Sequence, residues 1–236
     1  MITSTQRLRD PQQRDERAAR ILDAAAGLLA RHGYRRVTMD DVASEAGIGK
    51  GTVYLHWKTR EQLFGAVFAR EVLHAVDDLR KALQRDPQTC LLHNFARVYY
   101  LAIVDRPLLR GLLLGDPHLL GKLTGSPDPA RDDRHAALTH SHLALLAEHS
   151  LVRDDLSVDE IGYAYQATFE GFLHAEGSPP TGNPEQHAEL LARTVRHAFE
   201  NEATPELPIK QLAAAMVALL SDLIDADRAA FGLPEV

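Results

Sequence analysis

Residues 38–64 read TMDDVASEAGIGKGTVYLHWKTREQLF, two short helical patterns joined by a tight turn and followed by the start of a third. Thr38 is a good N-cap, because its hydroxyl accepts from the orphan amides of a first turn. Asp40 and Asp41 then put negative charge where a helix dipole favours it. Val42, Ala43 and Ala46 recur at three- and four-residue spacing and form one apolar face. Gly47 follows, a residue that takes the left-handed C-cap conformation without a Cβ penalty. Ile48 plugs the space between helices, and a second helix runs from about Gly49 to Trp57 with Val53 and Trp57 facing inward. This spacing makes a helix-turn-helix, whose second helix is shaped to enter a major groove.

With Val53 and Trp57 inward, Lys50, Gly51, Thr52, Tyr54, Leu55 and His56 are left outside or at the edge. That set offers donors, one cation and an apolar contact, and residues 47–60 hold no carboxylate. Phosphates repel carboxylates, so such a surface suits DNA. A small helical hairpin with a solvated polar face fits the same pattern, and spacing alone leaves both readings open. The glycine-rich run Gly47–Thr52 is not a phosphate-cradling loop. Ser44 stands where that motif needs its first glycine, Gly51 stands where it needs Ser or Thr after the lysine, and no strand precedes.

Ile21, Ala24, Ala25, Leu28, Gly33, Tyr34, Thr38, Ile48 to Tyr54, His56, Trp57 and Glu61-Gln62-Leu63 together resemble the DNA-binding domain of TetR-type transcriptional regulators. The resemblance covers residues 15–75. Two departures stand out: Trp57 where the family more often has Phe, and Gly49 where Ser or Thr is common. The first enlarges the inward plug; the second removes one contact to base or phosphate. The resemblance implies an all-α chain: a flexible arm at 1–14, a three-helix DNA-binding domain at 15–75 with its helix-turn-helix at 38–57, and a larger helical domain at 76–236. That second domain is implied to hold a mostly apolar pocket for a small-molecule effector and to pair two chains as a homodimer. Occupancy of the pocket would change the spacing of the two DNA-binding heads.

Charge is distributed as such a division requires. The chain of 236 residues carries −7 overall, with 26 Lys and Arg against 33 Asp and Glu. Residues 1–60 are nevertheless positive by +4 and the remainder negative by −11, so one end is suited to a polyanion. The single cysteine, Cys90, has no partner for an internal disulfide, which fits a reducing cytoplasm. The N-terminus is polar and arginine-rich without an apolar core, and the longest apolar runs fall short of a membrane span.

In chain order, residues 1–15 read as an arm, either reaching a minor groove or merely solvated. A first helix follows from Arg14 to His32, ended by Gly33. Thr59 caps a fourth helix with an apolar stripe down to about Arg85, long enough to leave the first domain and enter the second. Asp86-Pro87 and Arg106-Pro107 open two more helices, and His118–Leu123 adds about a turn. After a Pro- and Gly-rich loop at 124–129 come helices at 130–150, 158–176, 184–201 and 209–231, the second opened by the capping box Ser157-x-x-Glu160. The count is ten helices, without repeats or strand-like alternation.

The expected DNA-contacting set is Arg36, Thr38, Lys50, Gly51, Thr52, Tyr54, Leu55, His56, Lys58 and Arg60. Lys50 and Thr52 are assigned to base edges, and Thr38, Tyr54, His56 and Arg60 to phosphates. Phe95, Tyr99, His142, Tyr163, Gln166 and Glu170 put aromatic and polar groups on central helices, the mixture ligand pockets use, although core packing explains each equally well. Gly171, Phe172, Ala175, Leu191, Val195 and Phe199 are assigned to the dimer interface. The last helix either joins that interface or covers the pocket. Twelve histidines include His135, His140, His142 and His149 on one helix, but without the i, i+4 pair of a helical zinc site. No nucleophile elbow or cysteine signature supports catalysis, so neither a metal nor a cofactor is expected. The expected function is a ligand-responsive, homodimeric transcriptional repressor, released from a palindromic double-stranded operator by a small molecule. The alternatives are an architectural DNA binder, or a helical enzyme or carrier, without an effector switch.

Overall fold

The computed structural model describes residues 11–123, 129–177, 182–201 and 208–234. The expected arm at residues 1–10, the loop at 124–128 and the segments 178–181 and 202–207 lie outside them. Among the described residues the chain is all-α, with one isolated bridge between Val152 and Glu200. The helices are α1 (Pro11–His32), α2 (Met39–Glu45), α3 (Lys50–His56), α4 (Arg60–Arg85), α5 (Leu92–Val104), α6 (Pro107–Leu113), α7 (Pro117–Leu120), α8 (Pro129–Glu148), α9 (Val158–Ala175), α10 (Pro184–Phe199) and α11 (Ile209–Phe231). The described residues thus hold eleven α-helices where ten were counted, and α1 begins three residues early, with Pro11 at its first position. No helix among them is long and apolar enough to cross a membrane.

One expected helix start is corrected. The stretch after Asp86 does not run straight into α5: Pro87–Cys90 is a 3-10 turn, and Leu91 is extended, with ψ 140°. Asp86 caps the turn through the amide of Gln88 at 3.0 Å. The Cys90 carbonyl, which a continuous helix would use internally, instead accepts from the buried ring of His142 at 2.8 Å. That side-chain bond replaces a helical one at the position where the helix breaks.

The chain divides into two compact units: residues 1–73, 111–126 and 226–236 in the first, and 74–110 and 127–225 in the second. The division falls inside α4, and the segment 111–126 groups with the N-terminal helices. Tyr34 shows why. Its backbone amide donates to the His118 carbonyl at 2.9 Å, and its ring lies directly under Gly121. The ring is 1% exposed, meets Phe64 edge-on at 5.4 Å and carries the Arg60 guanidinium 4.2 Å above it. Its hydroxyl donates to the Glu61 carboxylate at 2.9 Å. Around it, Ile21, Leu22 and Leu29 of α1 pack with Val42, Val53, Trp57 and Leu63 to form the core of the first unit.

In the second unit α10 packs along α5, and α9 packs against α8 and α10. The capping boxes expected at Ser157 and supplied at Asn183 both form, satisfying amides at the starts of α9 and α10. Ile161, Tyr165, Phe169 and Leu173 recur at four-residue spacing and turn one side of α9 inward.

Two predictions follow from these contacts. Gly121 has φ +52°, and a Cβ there would sit 2.2 Å from Cδ1 of the immobilised Tyr34 ring. Gly121→Ala is expected to cost about 2 kcal/mol by strain and overpacking, read as a lowered urea midpoint. Burial holds the His142 imidazole down at about 4, whereas the unfolded chain takes up its proton near 6.5. The stability supplied by the neutral ring is therefore complete above pH 6.5 and lost as pH falls toward 4, on the order of 3 kcal/mol. His142→Gln should flatten the pH dependence of unfolding in that window; an unchanged slope would place the titration elsewhere.

Candidate nucleic-acid interface

The turn between α2 and α3 is closed by the backbone. Ala46 ends α2, Gly47 takes φ +65°, and the Ile48 amide donates to the Ala43 carbonyl at 3.0 Å. Nothing lies within 4 Å of a Cβ at Gly47, so the backbone angle, and not space, calls for glycine there. Val53 at 0% and Trp57 at 6% exposure anchor α3, and Trp57 ends the helix in an extended conformation.

The remaining side of α3 faces outward. Lys50, Gly51, Tyr54 and Leu55 are exposed, Leu55 by 63%, while Thr52 and His56 are half-buried at the edge. His56 stacks on Trp57 with ring centroids 5.4 Å apart. Burial holds its imidazole below the ordinary value, reinforced by the positive charge of Arg14 and Arg17. Lys50 lies 5.9 Å from the Tyr54 ring centroid, but its ammonium is also paired with Asp40 at 2.8 Å. That pairing keeps the ammonium above its usual value, so it stays charged. The stretch 47–60 is acid-free in sequence; in space the face includes a carboxylate delivered by α2.

The flanking residues divide by what they already hold. Arg36 and Lys58 are exposed. Thr38 is the N-cap of α2: its hydroxyl accepts from the Asp41 amide at 3.2 Å, and its own backbone amide donates to the Asp41 carboxylate at 2.8 Å, completing a capping box. Arg60 is half-buried and turned inward, donating to the Val37 carbonyl at 3.2 Å and stacking on Tyr34. An arginine engaged in this way positions the start of α4 and is poorly placed as a phosphate clamp. Sequence reasoning missed Asp40, Arg14 and Arg17 as components of this face. The charges at Arg14 and Arg17 held no such signal, since their approach to His56 depends on how α1 crosses α3.

The second unit separates the residues assigned to a pocket. Phe95, Tyr99 and His142 come together: Phe95 lies 6.3 Å from Tyr99 and 4.5 Å from His142. Tyr163, Gln166 and Glu170 do not join them. They lie on the outer side of α9, Tyr163 with 81% exposure and Gln166 donating to Glu170 at 2.9 Å. The inward stripe of α9 passes through Tyr165 and Phe169, which places these three across the helix. Of the residues assigned to an interface, Gly171 and Ala175 are exposed and Phe172 is half-buried. Leu191, Val195 and Phe199 are buried within the chain, since α10 turns that stripe toward α5; Leu190, 51% exposed, is the outward apolar residue. Among the described residues no group of three His, Cys, Asp or Glu side chains could hold a metal ion.

Residues 21–67 match the family of bacterial regulatory proteins, tetR family. Over 71 residues the chain is 37% identical to the HTH-type transcriptional activator FasR of Mycolicibacterium smegmatis, covering 30% of this chain and 32% of that protein. Over 91 residues it is 34% identical to the HTH-type transcriptional repressor Rv3405c of Mycobacterium tuberculosis, covering 35% and 48%. The matched stretch spans less than half the length of either relative. The likeness of fold extends further: the SmeT–triclosan complex is similar with a TM-score of 0.60 at 19% identity, over 82% of this chain and 99% of that one.

The α3 face generates a prediction with two arms. Lys50→Ala should relax sequence preference among duplexes, because a lysine at a base edge carries discrimination. Lys58→Ala should weaken binding evenly and flatten the salt dependence by about one unit. Fluorescence anisotropy across a salt series reads both, and parental behaviour in both variants would move the surface elsewhere.

Proposed function

We propose that the chain is a regulator of the tetR family, whose model matches residues 21–67, and that it binds double-stranded operator DNA as a homodimer and is released by a small-molecule effector, acting as a repressor. The observation that carries this reading is the exposed outer face of α3, held by Val53 and Trp57 inside the segment that matches the family. The face offers Lys50, Thr52 and Tyr54 to a groove, with Arg36 and Lys58 beside it for phosphates. Thr38 supports the reading as the residue that fixes the start of α2, and Arg60 as the one that fixes α4 to Tyr34.

A second copy of the chain is the partner that the outer side of α9 suits. Tyr163, Gly171 and Ala175 with Leu190 of α10 form an exposed stripe with thin residues at its centre. A two-fold axis there would make the target a pseudo-palindrome, because half-site symmetry mirrors protein symmetry. The switch is assigned to α4. Its 26 residues span about 39 Å at 1.5 Å per residue, with 60–73 in the first unit and 74–85 in the second. It is therefore a continuous path by which occupancy of the second unit bears on α3. An effector weakens DNA binding only by its own preference for the non-DNA geometry, typically about 1–3 kcal/mol.

Selection from a random-sequence duplex pool tests the reading. A two-fold-symmetric consensus, with half-sites on one side of the duplex, is expected; enrichment of no sequence would leave an architectural DNA binder. A Cβ at Gly171 meets nothing within 4 Å, so the protomer tolerates Gly171→Trp. That variant should sediment as a monomer and lose most of its duplex affinity, and an intact dimer would shift the interface to another face. By linkage, the selected duplex must lower effector affinity by the same factor as effector lowers duplex affinity. Equal effector affinity for free and duplex-bound protein would rule out the switch.

A further inference from the structure

Two features of the α3 face contribute little to the folding of the first unit. The first is the ion pair between Lys50 and Asp40. Ammonium and carboxylate lie 2.8 Å apart, and the two side chains are 53% and 64% exposed. The capping box of α2 is made by Asp41, so Asp40 is not held there as a cap. The helix dipole accounts for acid in the first turn of α2, but not for its approach to Lys50. An exposed pair adds little to stability, and a carboxylate beside a phosphate backbone opposes binding. The second feature is Gly51, which stands inside α3, where glycine is disfavoured against alanine. A Cβ there meets nothing within 4 Å, so crowding does not call for glycine. With Gly49 before it, Lys50 is flanked by two positions without side chains, which suits a surface brought close against the backbone.

An ammonium next to a carboxylate is a donor beside an acceptor, and a base pair presents the complement. Across the major groove a G·C pair reads acceptor, acceptor, donor: guanine N7 and O6, then the cytosine N4 amino group. O6 and N4 share a Watson–Crick hydrogen bond, so they lie about 2.9 Å apart, like the two charged groups. One ammonium covers both guanine acceptors, and the carboxylate then meets a donor. In an A·T pair the donor, adenine N6, lies between two acceptors, N7 and O4. One ammonium covers only one of them, and the carboxylate faces the other. A phosphate satisfies Lys50 and repels Asp40.

Resting on the operator reading above, we propose that Asp40 is a specificity-determining residue that reads, together with Lys50, one G·C pair in each half-site. Lys50 donates to guanine O6 and N7, and Asp40 accepts from the N4 amino group of the paired cytosine. On other sequences Asp40 faces phosphates or base acceptors without a donor and lowers affinity. Discrimination thus has an attractive part and a repulsive one.

The test uses the full chain, selection from a random-sequence duplex pool and fluorescence anisotropy on the selected duplex. The substituted side chains are exposed, so the fold tolerates each change. The parent's half-site should contain a G·C pair preferred about ten-fold, and Asp40→Ala and Lys50→Ala should both lose that preference at the same position. The double variant should discriminate no worse than either single one, because the two act as a unit. Replacing that cytosine by N4-methylcytosine should weaken the parent about ten-fold and leave Asp40→Ala unaffected. Asp40→Asn should bind an unrelated duplex about five-fold tighter, the effect of removing one charge near a phosphate in high dielectric. Glu45→Gln makes the same charge change about 140° round α2 and should alter that affinity by less than about two-fold. The proposal is overturned by a half-site without such a pair, by an Asp40→Ala variant that keeps the preference, or by N4 methylation that weakens both proteins equally. An equal gain in Glu45→Gln and Asp40→Asn overturns it too, as an effect of bulk charge. Each of these results leaves the operator reading standing, whereas a parent that selects no sequence ends both.

Discussion

Burial of Tyr34 is the constraint on which the first unit depends. A phenol at 1% exposure must satisfy its hydroxyl, its amide and its ring at once, and two segments distant in sequence, the start of α4 and residues 118–121, meet that demand. Glu61 and Arg60 at the start of α4 take the hydroxyl and the ring face, Phe64 takes the edge, and the His118–Gly121 segment takes the amide and the remaining ring surface. Since Arg60 also donates to the Val37 carbonyl, the strap leading into α2 is fixed to the same point. The position of the helix-turn-helix relative to α4 within this unit is thus set by one side chain and its contacts.

On that base the α3 face combines rigidity with modest charge. Its inward residues are fully buried, and its capping comes from backbone geometry at Gly47 and Gly49 more than from side chains. Only Lys50 brings a cation to the helix itself, and in the free chain it is paired with Asp40. Exposed ion pairs of this kind are worth little in water, so the pairing yields readily to a phosphate or a base edge. The second unit uses the opposite economy. There the buried imidazole of His142 is neutral, and the hydroxyl of Tyr100 is given to the Glu176 carboxylate. The contrast between the units is chemical: the outer side of α3 carries a cation and donors, while the second unit packs aromatic rings around Phe169.

Much of this was legible before any coordinates. Local rules were enough for the caps at Thr38 and Ser157, for the left-handed Gly47 and for the inward pair Val53 and Trp57, because each depends on residues within one turn. The same periodicity identified an all-α chain, and the family resemblance came from individual residues between Ile21 and Leu63. Which side of a helix meets which neighbour was less legible. Periodicity separates faces but does not say where the second apolar side points, so Leu191, Val195 and Phe199 of α10 read as available when they are buried, and Tyr163 reads as central when it is exposed.

The sequence by itself determined the helices, their caps and the composition of the α3 face, since helix propensity, capping and 3.6-residue periodicity act over a few neighbouring residues. Only the tertiary structure decided that the segment 111–126 belongs with Tyr34, that Asp40 reaches Lys50, that Arg60 turns inward and that the Cys90 carbonyl goes to His142. Each of these joins groups at least ten residues apart, through hydrogen bonds and packing whose partners are fixed by how the helices cross. No local pattern encodes a crossing angle; it is settled when buried polar groups and apolar faces find partners together.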